Sequence, residues 1–446
     1  MLRVTTEFLG PKDEPNIHDV AYSKKNAQEK VLKPLKLKPT GHCVDIKIWR
    51  AEHLPITDDY GEGIDAYIKV RYAGNYKDTK DISSLNPEWN QNIKIACVLP
   101  NQSKAVNFEL WDKDLFSKDD LVGTFKVDFK SFQDKMLEPK WANLYGPPPS
   151  ADNEFAEKMT LYGYDQGSYY RGRVLYSIGS YNDPHPKSNV SDIKISFPDN
   201  PKPNAPSKTY LFRVDIIGAN DLPPRENCIV SVSIGPYLLK SEPVKIENGT
   251  CEIYQQLEDK RVNLPVNADE MPDIFVYFQD EAKIDRRHSF IRLKAKDFLN
   301  PSDDAVKTFK LKEDKSLDLV TDEEFPGIIY ARIQLFGSNP PERRPLNHHQ
   351  TEKLKYQMRC YIYVARNLPA ADKEGTSDPF VTVKCAGKQG RTETRENTLN
   401  PGFFECVTID NLELRDLRKE VDMPVGLSVC VYDADTHENA DVESDQ

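Results

Sequence analysis

Two sets of three aspartates in this 446-residue chain share intervals of two and then six residues. They are Asp112, Asp114 and Asp120, and Asp433, Asp435 and Asp441. Each set follows an alternating apolar segment that is typical of a strand, and aspartates two residues apart at a strand end point the same way. Neighbouring carboxylates repel one another, and a bound divalent cation removes that conflict. Each set is therefore a candidate metal-binding loop, which we call loop 3.

An earlier acidic loop, loop 1, precedes each set. It carries Asp58, Asp59 and Asp65 in the first copy, and Asp372 and Asp378 in the second. A β-sandwich gathers loops from distant strands at one end, so the carboxylates of loops 1 and 3 are expected to converge. Calcium takes about 6–8 oxygen ligands in irregular geometry, whereas zinc favours His or Cys, so Ca²⁺ is the predicted ion. Asp58 and Asp59 are alternative ligands because loop 1 is longer in the first copy, and ordinary solvated turn residues are the alternative interpretation of all these aspartates.

Repeated strings place the strands around these loops. A-x-x-L-P follows an alternating apolar run at residues 51–55, 219–223 and 365–369. The separation from the repeat leucine to an Asn-Pro pair is the same from Leu54 to Asn86 as from Leu368 to Asn400. Alternation with a period of two predicts half-buried strands, and helical periodicity is almost absent. The sequence therefore predicts an all-β chain of tandem antiparallel β-sandwiches.

Breaker-rich segments divide the chain. We expect sandwiches at 41–150, 207–336 and 354–446, linkers at 151–206 and 337–353, and a separate N-terminal segment at 1–40. The third sandwich is short, and we expect it to lack its final strands. In the middle unit Gln279, Glu281 and Arg287 stand where the first unit has its loop 3 aspartates, and Glu226 alone stands near the first acidic position of loop 1. The middle unit is accordingly predicted to be a degenerate sandwich without a metal site.

Composition excludes several functions. With 60 Lys and Arg against 71 Asp and Glu, the net charge of -11 disfavours a nucleic-acid partner and disfavours constant attachment to anionic lipid. We find no apolar run of membrane-spanning length and no secretory signal, and the 8 cysteines show no paired or metal-ligand spacing, which indicates reduced cysteines of a cytosolic protein. No catalytic motif is present, so we do not expect an enzyme.

Several strings resemble known families. LPAADKEGTSDPFVTV, LNPEWNQ and LWDKDLFSKDDLVG resemble C2 domains, which are calcium-dependent phospholipid-binding sandwiches of about eight strands. FLGPKDEPNIHDV resembles the FerI segment of ferlins, while WANLYG and YYRGRVLYSIG resemble the ferlin sequence after the C2 domain that follows FerI. The chain thus resembles a ferlin with a FerI-like segment at 1–40, calcium-type C2 domains at 41–150 and 354–446, and a YRGR segment within 151–206.

The resemblance implies a protein that binds Ca²⁺ and anionic membranes at their cytoplasmic face, in vesicle fusion, plasma-membrane organisation or membrane repair. It assigns calcium-ligand roles to Asp58 or Asp59, Asp65, Asp112, Asp114, Asp120, Asp372, Asp378, Asp433, Asp435 and Asp441. Phosphatidylserine, phosphoinositides and proteins of the fusion machinery are the implied partners, and a longer ferlin parent would carry a C-terminal anchor. Leu115 and Phe116 at the tip of loop 3 are predicted membrane contacts, with packing beneath the loop as the alternative for Phe116. A calcium-independent scaffold for protein partners is the alternative function.

Overall fold

The fold is almost entirely antiparallel β-structure. The computed structural model describes residues 38–57, 63–114, 118–148, 167–199, 206–222, 227–247, 249–280, 287–313, 327–337, 340–346, 353–373, 375–415 and 426–434. Within these ranges the helices are single 3-10 turns at Phe129–Ser131, Val190–Asp192, Ala268–Glu270 and Ala295–Phe298. The predicted all-β class with tandem sandwiches is confirmed. The FerI-like segment lies largely outside the described residues.

The first unit is a sandwich of two packed sheet halves. Its strands are β1 (Thr40–Glu52), β2 (Asp65–Tyr72), β3 (Asn75–Asp78), β4 (Ile82–Ser83), β5 (Glu88–Leu99), β6 (Ala105–Asp112), β7 (Asp120–Asp128), β8 (Met136–Gly146) and β9 (Tyr169–Asn182). One half has the order β3-β2-β6-β7 and the other the order β8-β9-β1-β5, with β4 beside β2. Thr124 and Tyr145 join the two halves in a single bridging pair. Alternate apolar residues of both halves form one buried core between them.

The first unit continues well beyond residue 150, where we expected a linker. Strand β9 contains the YRGR string and pairs antiparallel with both β1 and β8. It thereby fills the middle of one sheet half, and its Val174, Tyr176 and Ile178 are buried in the core. The breaker-rich residues that follow had suggested a linker, but strand pairing and apolar burial place 169–182 inside the sandwich.

Residues 183–199 form a strap across the outer face of β5, β1 and β9. Asp45, fully buried on β1, accepts hydrogen bonds from the backbone amides of Lys194 at 3.0 Å and Ile195 at 3.3 Å. The Lys94 ammonium donates to the Asp192 carbonyl at 2.7 Å. These contacts give the Asp45 Oδ2 atom and the Lys94 ammonium group backbone partners from the strap. The strap is therefore part of the first unit.

The strap gives the first unit a predictable pH dependence. Burial raises the pKa of Asp45, against smaller opposing effects of its two backbone hydrogen bonds and of Lys94. A raised pKa means that the folded state holds the proton more tightly, so protonation adds stability as the pH falls through that pKa. Asp45→Asn, which is always neutral, should therefore gain most over the wild type at neutral pH and lose this advantage toward about pH 4. Hydrogen–deuterium exchange of the strap amides checks this, with Asp192→Asn as an exposed control, and an advantage that grows on acidification would contradict it.

The middle unit is also a two-sheet sandwich. Its strands are β10 (Ser207–Asn220), β11 (Asn227–Ile234), β12 (Tyr237–Lys240), β13 (Val244–Lys245), β14 (Cys251–Gln256), β15 (Lys260–Pro265), β16 (Ile274–Asp280), β17 (Arg287–Leu293), β18 (Lys307–Lys310), β19 (Lys312–Glu313) and β20 (Ile328–Phe336). One sheet has the order β14-β10-β20-β18 with β15 beside β10, and the other β12-β11-β16-β17-β19 with β13 beside β11. Together they enclose a large apolar core.

Residues 340–346, within the expected Pro-rich linker, lie against the middle unit. Arg343 Nε donates to Asp215 Oδ1 at 2.9 Å, and its Nη1 donates to the Leu257 carbonyl at 2.7 Å. Asp215 is fully buried and also pairs with the buried Arg332 at 3.3 Å. Asp215 thus joins an arginine of the sheet and an arginine of the linker in one network of buried ion pairs. This part of the linker is therefore held by the middle unit.

The first and middle units share a buried aromatic contact. The Tyr145 hydroxyl accepts from the Asp273 amide at 2.9 Å, and the Tyr277 hydroxyl donates to the Ser168 carbonyl at 2.9 Å. The Arg292 guanidinium lies 3.7 Å from the centroid of the Tyr145 ring. The hydroxyl groups of this buried aromatic cluster are therefore hydrogen-bonded across the boundary between the two units.

The third unit contains five strands within the described ranges: β21 (Lys353–Val364), β22 (Pro379–Cys385), β23 (Lys388–Arg391), β24 (Gly402–Arg415) and β25 (Leu427–Asp433). They form a two-stranded and a three-stranded sheet around a small core. Leu427, Val429 and Val431 on β25 are exposed. The residues at the same register positions of β6 in the first unit are Val106, Phe108 and Leu110. These three are buried in the core of the first unit, to which β7, β8 and β9 contribute. The described part of the third unit ends at residue 434, and the expectation about its final strands stays a prediction.

Candidate metal centre

The same β-bulge precedes loop 1 in all three units. The pairing register shifts between Ile48 and Arg50, between Ile216 and Gly218, and between Ile362 and Val364. An extra residue in one strand increases the local twist and bends the strand. Each shift lies at the same distance before the repeat leucine, so the chain leaves each first strand in the same way.

The repeated Asn-Pro pair closes the turn into loop 1. The Asn86 side-chain oxygen accepts from the His53 amide at 3.1 Å, and the Asn400 oxygen accepts from the Asn367 amide at 3.0 Å. His53 and Asn367 both have positive φ, 59° and 55°, so the turn exposes an amide that a side chain must satisfy. This contact explains why the distance from the repeat leucine to the Asn-Pro pair is the same in both units, because the turn needs the asparagine side chain as its hydrogen-bond partner.

A carboxylate at the start of loop 3 joins loop 1 in the first unit. Asp112, only 3% exposed, ends β6, and its Oδ1 accepts from the Asp65 amide at 2.8 Å. Its Oδ2 accepts from the Thr57 hydroxyl at 2.5 Å. Thr57 and Asp65 flank loop 1, so one carboxylate holds both ends of that loop. The sequence indicated Asp112 and Asp65 but not Thr57, a small polar residue without a recognisable pattern.

The third unit repeats this contact. Asp433 ends β25, and its Oδ1 accepts from the Asp378 amide at 2.6 Å. The Asp378 carboxylate in turn accepts from the Asn397 amide at 2.6 Å. Two units of different sequence thus use the same carboxylate-to-amide hydrogen bond between the end of one strand and the start of another. In both units the structure brings the predicted loop 1 and loop 3 residues together.

A residue that the sequence interpretation omitted holds the two described ends of loop 3 in the first unit. Asp119 Oδ1 accepts from the Asp114 amide at 3.3 Å, and Asp119 Oδ2 accepts from the Tyr67 hydroxyl at 2.7 Å. Burial, then this hydrogen bond, raises the pKa of Tyr67 and keeps it a donor. Asp120 pairs in register with Asp112 across β6 and β7. The two adjacent carboxylates therefore differ in position: Asp119 bonds to Asp114 and Tyr67, whereas Asp120 lies opposite Asp112.

Loop 1 is closed differently in the two units. Thr57 N donates to the Gly63 carbonyl at 3.0 Å, and Ala371 N donates to the Thr376 carbonyl at 3.1 Å. If Thr57 and Ala371 are aligned, Asp372 corresponds to Asp58. If Gly63 and Thr376 are aligned instead, Asp372 corresponds to Asp59. The Asp372 amide also donates to Thr376 at 3.0 Å. The choice between the two aspartates therefore stays open.

Several predicted site residues lie outside the described ranges. They are Asp58, Asp59, Leu115, Phe116, Asp435 and Asp441. Among the described residues alone, no three His, Cys, Asp or Glu side chains are grouped to hold a metal ion. The described part of each candidate centre consists of carboxylates and backbone oxygens, the hard donors that suit Ca²⁺ rather than zinc.

The middle unit has the same framework with different donors. Equivalent register pairs are Ala66 with Asp112, Ile229 with Gln279, and Pro379 with Asp433. The residue before the first member of each pair is Asp65, Cys228 or Asp378. Gln279 also pairs with Arg287, as Asp112 pairs with Asp120. Strand pairing therefore places a thiol and an amide, both buried, at two positions where the first unit has carboxylates.

Apolar and basic groups flank the first centre. Ile56 in loop 1 is 56% exposed. On the adjoining sheet face Arg71 Nε donates to both oxygens of Glu109, at 2.8 and 3.0 Å, and Lys69 Nζ lies 4.6 Å from the centroid of the Trp111 ring. Arg71 is thus neutralised within the sheet, and Ile56 is a surface group that the sequence pattern did not identify.

Comparison with protein families finds matches in two of the three units. The C2 domain family model matches residues 42–144 and 356–442. Among solved structures, a calcium-bound fragment of Extended-Synaptotagmin 2 that contains two C2 domains aligns with 67% of this chain and 97% of that fragment, at 18% identity and a TM-score of 0.24. The family match shows that the first and third units are C2 domains.

Two curated relatives extend over most of the chain. Ferlin 1 of Toxoplasma gondii is 21% identical over 92% of this chain and 31% of its own length. Ferlin 2 of the same organism is 22% identical over 84% of this chain and 29% of its own length. The chain thus spans less than a third of these relatives. Over this span the chain is similar to ferlins, in agreement with the resemblance that its sequence motifs indicate.

Proposed function

We propose that this protein binds anionic phospholipid membranes when calcium occupies the loop ends of its first and third units. The observation that carries the proposal is the shared hydrogen bond from the Asp65 amide to Asp112 and from the Asp378 amide to Asp433. It brings loops 1 and 3 together at one end of each sandwich, where the other predicted carboxylates follow in sequence. In the first unit Asp58 or Asp59, Asp65, Asp112, Asp114 and Asp120 would hold the ion, and in the third Asp372, Asp378, Asp433, Asp435 and Asp441.

Calcium would act on the electrostatics of the loop ends. The chain carries a net charge of -11, so anionic lipid repels it. A bound divalent cation offsets the loop carboxylates and offers coordination positions to phosphate and carboxylate oxygens of headgroups. Phosphatidylserine supplies both kinds of oxygen. The same carboxylates therefore repel anionic lipid in the absence of calcium and bind the cation when calcium is present.

Vesicle co-sedimentation tests the proposal. The full chain should pellet with phosphatidylserine vesicles in calcium and stay in the supernatant in a calcium chelator, and phosphatidylcholine vesicles are the uncharged control. Equal pelleting with and without calcium would contradict it. The similarity to ferlins supports a place for this activity at the cytoplasmic face of membranes in vesicle fusion or membrane repair, with no catalytic role.

Ile56 is expected to contribute to the membrane contact, together with the predicted Leu115 and Phe116. Transfer of its exposed portion from water to the headgroup boundary contributes about 1 kcal/mol, part of the 1.5–3 kcal/mol of a fully buried large side chain. Ile56→Ser should therefore weaken calcium-dependent vesicle binding about fivefold. Val98→Ser is the matched control, because Val98 is 51% exposed at the opposite end of the unit. Equal affinity of both variants would exclude Ile56 from the contact.

The middle unit supports a second role for the chain. Cys228 and Gln279 replace carboxylates while the strands and the turn are retained. A sandwich that keeps its framework without these donors is suited to fixing its neighbours or holding a protein partner independently of calcium. Binding of a fusion-machinery protein in a calcium chelator would support this scaffold function.

A further inference from the structure

Two cysteines of the middle unit are in contact through their sulfur atoms. Cys228 Sγ lies 3.8 Å from Cys251 Sγ, and the two side chains are 1% and 0% exposed. Both are thiols, not a disulfide. Cys228 is near the start of β11 and Cys251 begins β14, and these strands belong to opposite sheets of the sandwich. The contact therefore bridges the two sheets, and the proposed calcium function does not use it.

The two cysteines occupy positions at which the first and third units carry other residues. The strand register places the first cysteine where those units have Asp65 and Asp378. The second cysteine pairs with the repeat alanine of the middle unit, Ala219. In the other two units the repeat alanine amide donates to the carbonyl of Pro87 or of Pro401 at 3.0 Å. The middle unit thus differs from both C2 domains at two positions at once, and the two new side chains contact each other.

This geometry favours bond formation between the sulfurs. A disulfide has an S–S distance of about 2.0 Å, so two adjacent side chains share a movement of about 1.8 Å. The folded sandwich already holds the thiols together, and such positioning makes the second step of oxidation intramolecular. The neighbouring residues Asn227 and Glu252 are exposed, so the pair lies one residue below the surface. Hydrogen peroxide is little larger than water and reaches such a site when the loop end opens locally.

We propose that Cys228 and Cys251 form a reversible disulfide when the protein meets a hydroperoxide. One thiolate attacks a peroxide oxygen, the O–O bond breaks, hydroxide leaves, and a sulfenic acid remains on that sulfur. The second sulfur then attacks the first, so that the S–S bond forms, the S–O bond breaks and water leaves. In total two thiols lose two electrons and two protons, and one hydrogen peroxide becomes two waters. A dithiol reductant restores both thiols and is itself oxidised to a disulfide.

The bond would fix the two sheets of the middle unit at the end that corresponds to the calcium loops of the first unit. It closes the chain from residue 228 to residue 251 into a covalent loop, which restricts the unfolded and locally opened states. Oxidation therefore stiffens the middle unit by a route that needs no cation. A disulfide of this kind is transient in a reducing compartment, which agrees with the reduced cysteines that the sequence indicates.

Peptide mapping of the full chain tests the proposal. The protein is treated with hydrogen peroxide in a calcium chelator, unfolded, alkylated and digested with trypsin. Cleavage after Arg225, Lys240, Lys245 and Lys260 separates the two cysteines into peptides 226–240 and 246–260. We expect one species in which these two peptides are joined, two fewer alkylated thiols in the intact chain, and recovery of both thiols with dithiothreitol. Cys43 and Cys97, which are also buried, are the internal controls and should stay alkylated.

Cys228→Ser is the matched variant, and it should give no joined species and no thiol loss that dithiothreitol reverses at Cys251. The wild type alone already decides the question if this variant folds poorly. Two results would overturn the proposal: all cysteines of the treated protein stay alkylated, or the two thiols are lost only as sulfinic and sulfonic acids or as links between chains.

Hydrogen–deuterium exchange measures the effect of the bond on the middle unit. Amides of β11 and β14 should exchange about tenfold more slowly in the oxidised protein than in the reduced protein, because the cross-link restricts local opening. Amides of the corresponding strands β2 and β5 of the first unit should be unchanged. Equal exchange of β11 and β14 in the two forms would contradict the stiffening of the unit by the bond.

Discussion

Asp112→Asn is expected to lower the calcium affinity of the first unit by at least about tenfold, because ligand charge sets calcium affinity. It should shift calcium-dependent vesicle binding by a similar factor. Asn keeps a side-chain oxygen for the Asp65 amide or the Thr57 hydroxyl, so the fold of the loops should suffer little. Loss of function without loss of structure would identify the carboxylate charge as the functional property of this residue.

Calcium titration followed by vesicle sedimentation measures this effect. Asp128→Asn is a matched control, since Asp128 ends the same strand that Asp120 begins and asparagine still accepts from the Lys130 amide. The third unit provides an internal comparison through Asp433→Asn, which changes the equivalent hydrogen bond to Asp378. If Asp112→Asn and Asp128→Asn retain the same calcium dependence, loop 3 of the first unit is not the sensor.

Asp215→Ala should destabilise the middle unit by about 3–5 kcal/mol, since it removes the fully buried carboxylate that Arg332 and Arg343 share and leaves each arginine with only a more exposed partner, Asp304 or Asp259. Asp215 is fully buried between Arg332 of β20 and Arg343 of the 340–346 segment. The change should therefore have two effects: it lowers the stability of the middle sandwich, and it releases the 340–346 segment from that sandwich.

Hydrogen–deuterium exchange separates the two effects, because amides of 340–346 and of β20 are measured independently. Asp304→Ala is the control: its carboxylate also pairs with Arg332, at 2.9 Å, but is 43% exposed, so solvent compensates its removal. Faster exchange in 340–346 is expected for Asp215→Ala alone. Equal exchange in both variants would show that the buried pair does not hold the linker.

Much of the architecture could be predicted from sequence because it is periodic. Alternating apolar residues and repeated strings gave the all-β class and the ferlin resemblance, which the fold and the comparisons confirm. The equal separation of Leu54 from Asn86 and of Leu368 from Asn400 reflects a side-chain-to-backbone hydrogen bond that recurs in both C2 domains. Local contacts of this kind leave a fixed spacing in the sequence.

The boundary of the first unit could not be predicted in the same way. Strand β9 pairs with β1 and β8 across a long intervening segment, and the strap depends on Asp45, far away in sequence. A single buried aspartate in an apolar strand has no spacing that identifies its partner. Likewise, Asp119 and Asp120 are adjacent carboxylates, and only the position of Tyr67 distinguishes the residue that orders the loop.

The sequence by itself determined the residue types and intervals of the candidate metal centre, since strand periodicity and turn chemistry are local. It also showed which unit lacks carboxylates. Only the tertiary structure decided which carboxylate joins loops 1 and 3, that the YRGR strand completes the first sandwich, and that Cys228 and Cys251 of the middle unit lie in contact. Those features depend on which strands pair and what they bury, and pairing between distant strands is set by the packing of the whole sandwich.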